Sequence, residues 1–189
     1  MTDRKPRRER PPLNPATLNE LALRYVGRFA TSRAKLRTYL ARKLRERGWS
    51  EEAEPDLAAL IDRFAMQGYV DDAGYALSKA RTLTGRGYGK ARLVQSLRIA
   101  GIEEADAVDA GRHADAEAVH AAVRLAKRKR IGPFATVVLD PKARQRALSA
   151  MVRGGHSFAV SRAIVDLPPG GNYDEEALAE LISYSEDRI

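Results

Sequence analysis

The stretch TGRGYGKAR at residues 84–92 sets Gly85, Gly87 and Gly89 ahead of Lys90, a composition that wraps phosphate when the spacing is right. A phosphate loop of the GxxxxGK[ST] kind needs its first glycine five residues before its second. Counting back from Gly89 gives Thr84, and Ala91 stands where a magnesium-binding hydroxyl belongs. The preceding AGYALSKARTL (73–83) is alanine-rich and helical in character, whereas both phosphate loops and dinucleotide GxGxxG turns follow a strand. The stretch therefore reads as a turn. Gly85 and Gly87 stop one helix and supply positive φ, and Arg86, Lys90 and Arg92 begin the next, where backbone N–H groups and the helix dipole favour anions.

Other catalytic chemistry finds no residues to carry it. There is no cysteine, which excludes a disulfide framework, a thiolate zinc site and a thiol nucleophile, and suits a reducing cytoplasm. His113, His120 and His156 fit no metal-ligand spacing, and neither HExxH nor an EF-hand loop occurs. Asp71 and Asp72 in GYVDDAGYA read as an N-cap and a first-turn acid. We expect no enzymatic activity, no metal and no cofactor. No apolar run approaches the ~20 residues of a membrane span, and MTDRKPRRERPP lacks a hydrophobic signal core, so a soluble cytoplasmic monomer is expected.

The elements that position these side chains are helical, because aromatics are only 6% of the chain and β-branched runs are scarce. Residues 1–13 carry Arg4, Lys5, Arg7, Arg8 and Arg10 among three prolines and read as a flexible basic arm. Asn14-Pro15 is an N-cap with proline at the first helical position, followed by Leu18, Leu21, Ala22, Tyr25, Val26 and Phe29 on one face. A second helix starts after Thr31 or Ser32, carries Leu36, Leu40 and Leu44, and ends at Gly48; a third runs through Leu57, Leu60, Ile61 and Phe64 to Gly68.

The pattern then recurs. LRERGW (44–49) matches LRIAGI (97–102) at a constant offset of 53, which also sets Leu40 on Leu93, Arg28 on Arg81 and Gly85 on Ser32. MVRGGH (151–156) is a fainter third copy, and Asp140-Pro141 opens a helix as Asn14-Pro15 does. Charge alternates on the same beat: residues 28–47 hold eight bases and one acid, 51–72 seven acids and one base, 79–98 six bases and no acid, and 103–117 six acids and one base. Residues 124–153, with KRKR at 127–130, form a third basic block. With a formal charge of +8, an anionic partner is expected. Stacked repeats would align their basic helices into a stripe.

These residues resemble the RecX family, small bacterial regulators of the RecA recombinase. The resemblance lies in SRAKLRTYLARKLRERGW (32–49), in GYVDDAGYALSKARTLTGRGYGKARLVQSLRIAGI (68–102) and, more weakly, in DPKARQRALSAMVRGGHSF (140–158). Gly68, Tyr69, Asp71, Asp72, Tyr75, Ala76, Arg81, Gly87, Gly89, Leu97, Gly101 and Ile102 occupy the family's pattern, with Gly68, Tyr69, Asp71, Asp72, Gly87, Gly89 and Gly101 in structural roles. The chain departs from it at Ala147, where the ladder calls for leucine, and in residues 168–189, which add an acidic helix.

The resemblance implies an all-α, elongated and curved array of three three-helix, helix-turn-helix-like repeats: 14–69, 70–113 and 114–167, with the arm before and an extension over 168–189. It implies a protein that lodges in the groove of the RecA filament on single-stranded DNA and inhibits strand exchange, ATP hydrolysis and coprotease activity. That is a role in homologous recombination, DNA repair and the SOS response. Candidate contacts with RecA and with single-stranded or duplex DNA are Arg33, Lys35, Arg37, Arg42, Lys43, Arg45, Arg81, Arg86, Lys90, Arg92, Arg98, Lys127 and Arg128. Trp49, Tyr69 and Tyr75 read as core or turn packing. The alternative reading is a helix-turn-helix transcription factor, which predicts operator binding and dimer symmetry; no dimerisation segment stands out, and the bases are spread over all three repeats. A nuclease would need clustered carboxylates or a nucleophile.

Overall fold

A computed structural model describes residues 11–170 and 175–186; the expected arm therefore lies, through residue 10, outside the described residues. Among those described are ten α-helices, two 3-10 turns, no strand, and one isolated parallel bridge between Leu13 and Trp49. The helices are α1 (Pro15–Val26), α2 (Arg33–Arg47), α3 (Leu57–Met66), α4 (Asp72–Gly85), α5 (Lys90–Ile99), α6 (Val108–Ala116), α7 (Ala118–Lys129), α8 (Pro141–Arg153), α9 (Phe158–Val165) and α10 (Glu175–Glu186). Two compact units divide the chain after Asp72.

In the first unit α2 packs between α1 and α3. Leu18 and Ala22 from α1, Leu36 and Leu40 from α2, and Leu60, Ile61 and Phe64 from α3 bury together with Leu13 and Val70. Each full leucine burial stabilises by about 1.5–3 kcal/mol. The helix starts are where the sequence sets them. Asn14 and Thr17 form a reciprocal capping box beside Pro15, Ser32 Oγ accepts from the Lys35 N–H at 3.2 Å, and Asp56 accepts from the Ala59 N–H at 2.9 Å. Leu13 is wholly buried: its N–H donates to the Gly48 carbonyl at 3.0 Å and its carbonyl accepts from the Ser50 N–H at 2.9 Å. Chain order thus begins ahead of the first N-cap, because an apolar residue at that point fills the seam between α2 and the turn after it.

Asp72 is the first-turn acid expected of it and has a second role as well. It opens α4, but its Oδ1 accepts a 2.9 Å hydrogen bond from the Arg33 N–H, so the carboxylate serves the start of α2. Two side chains, Ser32 and Asp72, therefore satisfy the otherwise unpaired donors of that basic helix.

The second unit has two interiors. Ala76 and Ala80 from α4 meet Leu93 and Leu97 from α5 and Ala110 and Ala114 from α6. Farther along, Val123 and Leu125 of α7, Met151 of α8 and Ile164 of α9 pack with Leu178 and Ile182 of α10. The acidic helix expected in the extension thus turns an apolar edge into a four-helix core. Ala147, where the ladder departs from leucine, is itself buried in this core together with Met151.

Helices end in one recurrent way. After α3, α4, α5 and α8, Gly68, Gly87, Gly101 and Gly155 take positive φ. The next N–H then reaches back to a carbonyl five residues earlier: Tyr69 to Phe64, Tyr88 to Leu83, Ile102 to Leu97 and His156 to Met151. These are Schellman closures. Arg130, at φ 54°, takes the glycine's place after α7, with the Ile131 N–H donating to Ala126. The offset of 53 sets Gly48 on Gly101, both at positive φ, and fails at the helix starts. Ser32 caps α2, which has 15 residues, whereas α5 has 10 and is capped at Gly89, so Gly85 does not stand where Ser32 does.

Candidate partner-binding surfaces

The glycine stretch is a joint as well as a turn. Gly85 is the last residue of α4 and lacks positive φ, contrary to expectation; Gly87 alone makes the left-handed turn. Gly87 lies so close to α7 that a Cβ would stand 2.8 Å from the Leu125 nitrogen. At Gly89 a Cβ would stand 2.3 Å from the Gly155 carbonyl oxygen. Hydrogen bonds hold that approach: the Gly89 N–H donates to the Gly154 carbonyl at 2.9 Å, and the Ala91 N–H to the Gly155 carbonyl at 3.2 Å. The backbone part of the expected anion contact at the start of α5 is thereby corrected, because carbonyls of the α8–α9 turn take the Gly89 and Ala91 N–H groups that an anion would need, which leaves the contact to side chains.

Two further contacts fasten the joint. Arg124 bonds the Thr84 carbonyl through Nε at 3.3 Å and pairs with Glu117, while Thr84 Oγ1 lies 3.2 Å from His113 Nε2. His156, 7% exposed, places Nε2 3.1 Å from the Gly87 carbonyl, to which the neutral ring donates. Burial lowers the His156 pKa from its ordinary value, and the Gly87 hydrogen bond opposes this less strongly. The unfolded chain then takes up this proton first as pH falls. The second unit should have the full contribution of neutral His156 above about pH 6.5 and lose it progressively as pH drops through the lowered folded value. Melting temperatures between pH 7.5 and 5 test this: His156→Gln, which keeps a donor, should flatten the dependence.

In the first unit α2 carries six of the candidate contacts, and the structure separates them. The Arg33 guanidinium lies 3.5 Å from Asp62, Arg42 3.7 Å from Glu46, and the Lys43 ammonium 2.6 Å from Glu46. Arg42 and Lys43 also sit within 6 Å of the Tyr39 ring, which stacks on Tyr25 at 4.2 Å. Lys35 is half-buried, with its N–H in the Ser32 cap. Arg37 and Arg45 are exposed and, among the described residues, have no carboxylate partner. Arg47 is tied to the Pro11 carbonyl at 2.8 and 3.0 Å.

In the second unit Lys90 pairs with Asp115 at 2.7 Å, whereas Arg81, Arg98 and Lys127 are exposed with no ion pair among the described residues. Arg92 and Arg128 converge on a ring absent from the candidate set, Tyr88, at 6.0 and 5.4 Å from its centroid. Arg128 also donates to the Arg86 backbone carbonyl, which ties α7 to the turn that carries Tyr88. An aromatic amid bases in GRGYGKAR was the available signal. Trp49 is a packing residue as expected, half-buried with its indole N–H donating to the Ala53 carbonyl at 2.7 Å.

Comparison with known proteins places this arrangement. No family model matches the chain. A Myxococcus xanthus protein described as regulatory protein RecX is 30% identical over 183 residues, covering 88% of this chain and 93% of the relative. A Mycobacterium protein (strain KMS) of the same description is 31% identical over 160 residues, covering 80% and 84%. Among solved structures, one described as regulatory protein RecX aligns with TM-score 0.62 at 24% identity over 80% of this chain and 72% of that one. RecX from Lactobacillus salivarius aligns with TM-score 0.57 at 18% identity over 92% and 97%.

Proposed function

Because the chain belongs to the RecX family of regulatory proteins, we propose that it is an inhibitor of the RecA recombinase, acting by occupying the groove of the filament on single-stranded DNA. The observation that carries this reading is the set of candidate cations without carboxylate partners among the described residues: Arg37 and Arg45 on α2, and Arg81, Arg86, Arg92, Arg98, Lys127 and Arg128 in the second unit. Most stand on helices whose inner faces are buried, so their backbone is already ordered when a polyanionic polymer binds. Arg33, Arg42, Lys43 and Lys90 serve the same partner from positions already paired with a carboxylate, with weaker net charge.

The reading of three trihelical repeats over 14–69, 70–113 and 114–167 is supported by the three separate apolar cores. A repeat array of this kind suits a long, curved surface. Inhibition by contact needs no catalytic group, and a cytoplasmic monomer fits a filament-bound role.

The test is the single-stranded-DNA-dependent ATPase of RecA with the full chain added below stoichiometry, together with co-sedimentation. Inhibition with filament-bound protein is expected. Full ATPase activity and no co-sedimentation would remove the reading, and a footprint at a defined duplex operator would favour the transcription-factor alternative.

A further inference from the structure

The cluster about Tyr88 has a construction that the isolated surface arginines lack. Its base is rigid. The Tyr88 N–H donates to the Leu83 carbonyl at 2.9 Å, Gly87 lies against the backbone of α7, and Gly89 against that of the α8–α9 turn. Onto this base Arg92 comes from α5 and Arg128 from α7, both over the half-buried ring, with Arg128 bonded to the Arg86 carbonyl. Arg92 has Gln95 as its side-chain partner at 3.1 Å, a neutral group, and no carboxylate pairs with Arg86, Arg92 or Arg128 among the described residues. Two exposed guanidiniums, those of Arg92 and Arg128, face one ring with their charge uncompensated, and the ring offsets part of their mutual repulsion.

We propose that Tyr88, Arg92 and Arg128 form a binding site for single-stranded nucleic acid, a proposal that rests on the polyanion-facing role assigned above. Phosphates meet the N–H edges of the guanidiniums, and the planar faces that stack on an aromatic ring also accept unstacked bases. An acidic protein segment would use the edges alone, and a duplex would hide its bases. Single-stranded nucleic acid uses both. Arg92 and Arg128 are the contact groups; Tyr88 is a positioning residue that sets the two guanidiniums whose charge it faces.

The experiment measures fluorescence anisotropy of a labelled oligothymidylate of about 20 nucleotides against the full chain over a salt series, with melting followed for every variant. Arg92→Ala/Arg128→Ala should melt like the parent, lose about tenfold or more in affinity, and flatten the salt dependence by roughly 0.7 log units per phosphate contact removed. Tyr88→Phe should bind like the parent, whereas Tyr88→Leu should bind several-fold more weakly. Unchanged affinity in the double arginine variant would overturn the site, as would competition by polyglutamate equal to that by unlabelled oligothymidylate at matched charge. Equal loss in the Phe and Leu variants would overturn the role of the ring. Recombinase ATPase inhibition separates the two readings. A parent that inhibits while the double variant keeps its oligonucleotide affinity removes this site alone. A parent that binds oligonucleotide through these arginines but never inhibits removes the regulatory reading alone.

Discussion

Replacing Gly89 by alanine should lower the melting temperature of the protein by roughly 10 °C, on an overpacking cost of about 3 kcal/mol or slightly more for a chain of this size. The added methyl carbon would lie 2.3 Å from the Gly155 carbonyl oxygen and 2.8 Å from the His156 nitrogen. Both are backbone atoms, so no side chain can swing aside. To admit the methyl, the segments must separate, and the Gly89–Gly154 and Ala91–Gly155 hydrogen bonds stretch with them. Gly85→Ala is the matched control, four residues away. Its Cβ would meet nothing within 4 Å and its φ is not positive, so the helix end should be unchanged or slightly stabilised. Thermal melts by circular dichroism decide it; equal destabilisation by both substitutions would mean that the joint does not hold the second unit together.

The second large effect is on binding. Arg37→Glu/Arg45→Glu should weaken co-sedimentation with the recombinase filament about tenfold or more, which is about 1.4 kcal/mol, while leaving the melt within a degree or two. Neither guanidinium has a carboxylate to lose. Arg42→Glu/Lys43→Glu should behave oppositely in the melt, since it would set two new carboxylates beside Glu46 and remove the cations facing Tyr39. A melt that falls equally in both pairs would make Arg37 and Arg45 structural. Full filament binding by the first pair would remove them from the contact surface.

The helices were legible because their signals are local. Asn14-Pro15, Ser32 and Asp140-Pro141 announce starts, and Gly48, Gly68 and Gly101 announce ends, each through the φ or the hydrogen bond its own residue makes possible. What sequence reasoning missed joins distant segments. Asp72 reaches an N–H 39 residues back, and nothing in VDDAG says which helix start lies beside it. Gly89 looks like a turn glycine until Gly154-Gly155 is seen opposite. The candidate bases were legible as a group, but their division into paired and unpaired depends on where Asp62, Glu46 and Asp115 fall. Glu46 was countable as the single acid among the bases of 28–47, yet its reach to both Arg42 and Lys43 follows from rotamers on the helix surface, which spacing alone leaves open.

The backbone bonds from Gly89 and Ala91 to Gly154 and Gly155 also order events in time. On a ribosome, α4 and α5 emerge well before α8, and until the turn beyond α8 clears the exit those two N–H groups can find only water. Closing so long a loop comes late and is slow relative to winding any single helix. The middle of the polypeptide therefore matures only after most of it has been synthesised, and truncated products that stop before residue 154 leave the Gly89 and Ala91 N–H groups without these partners.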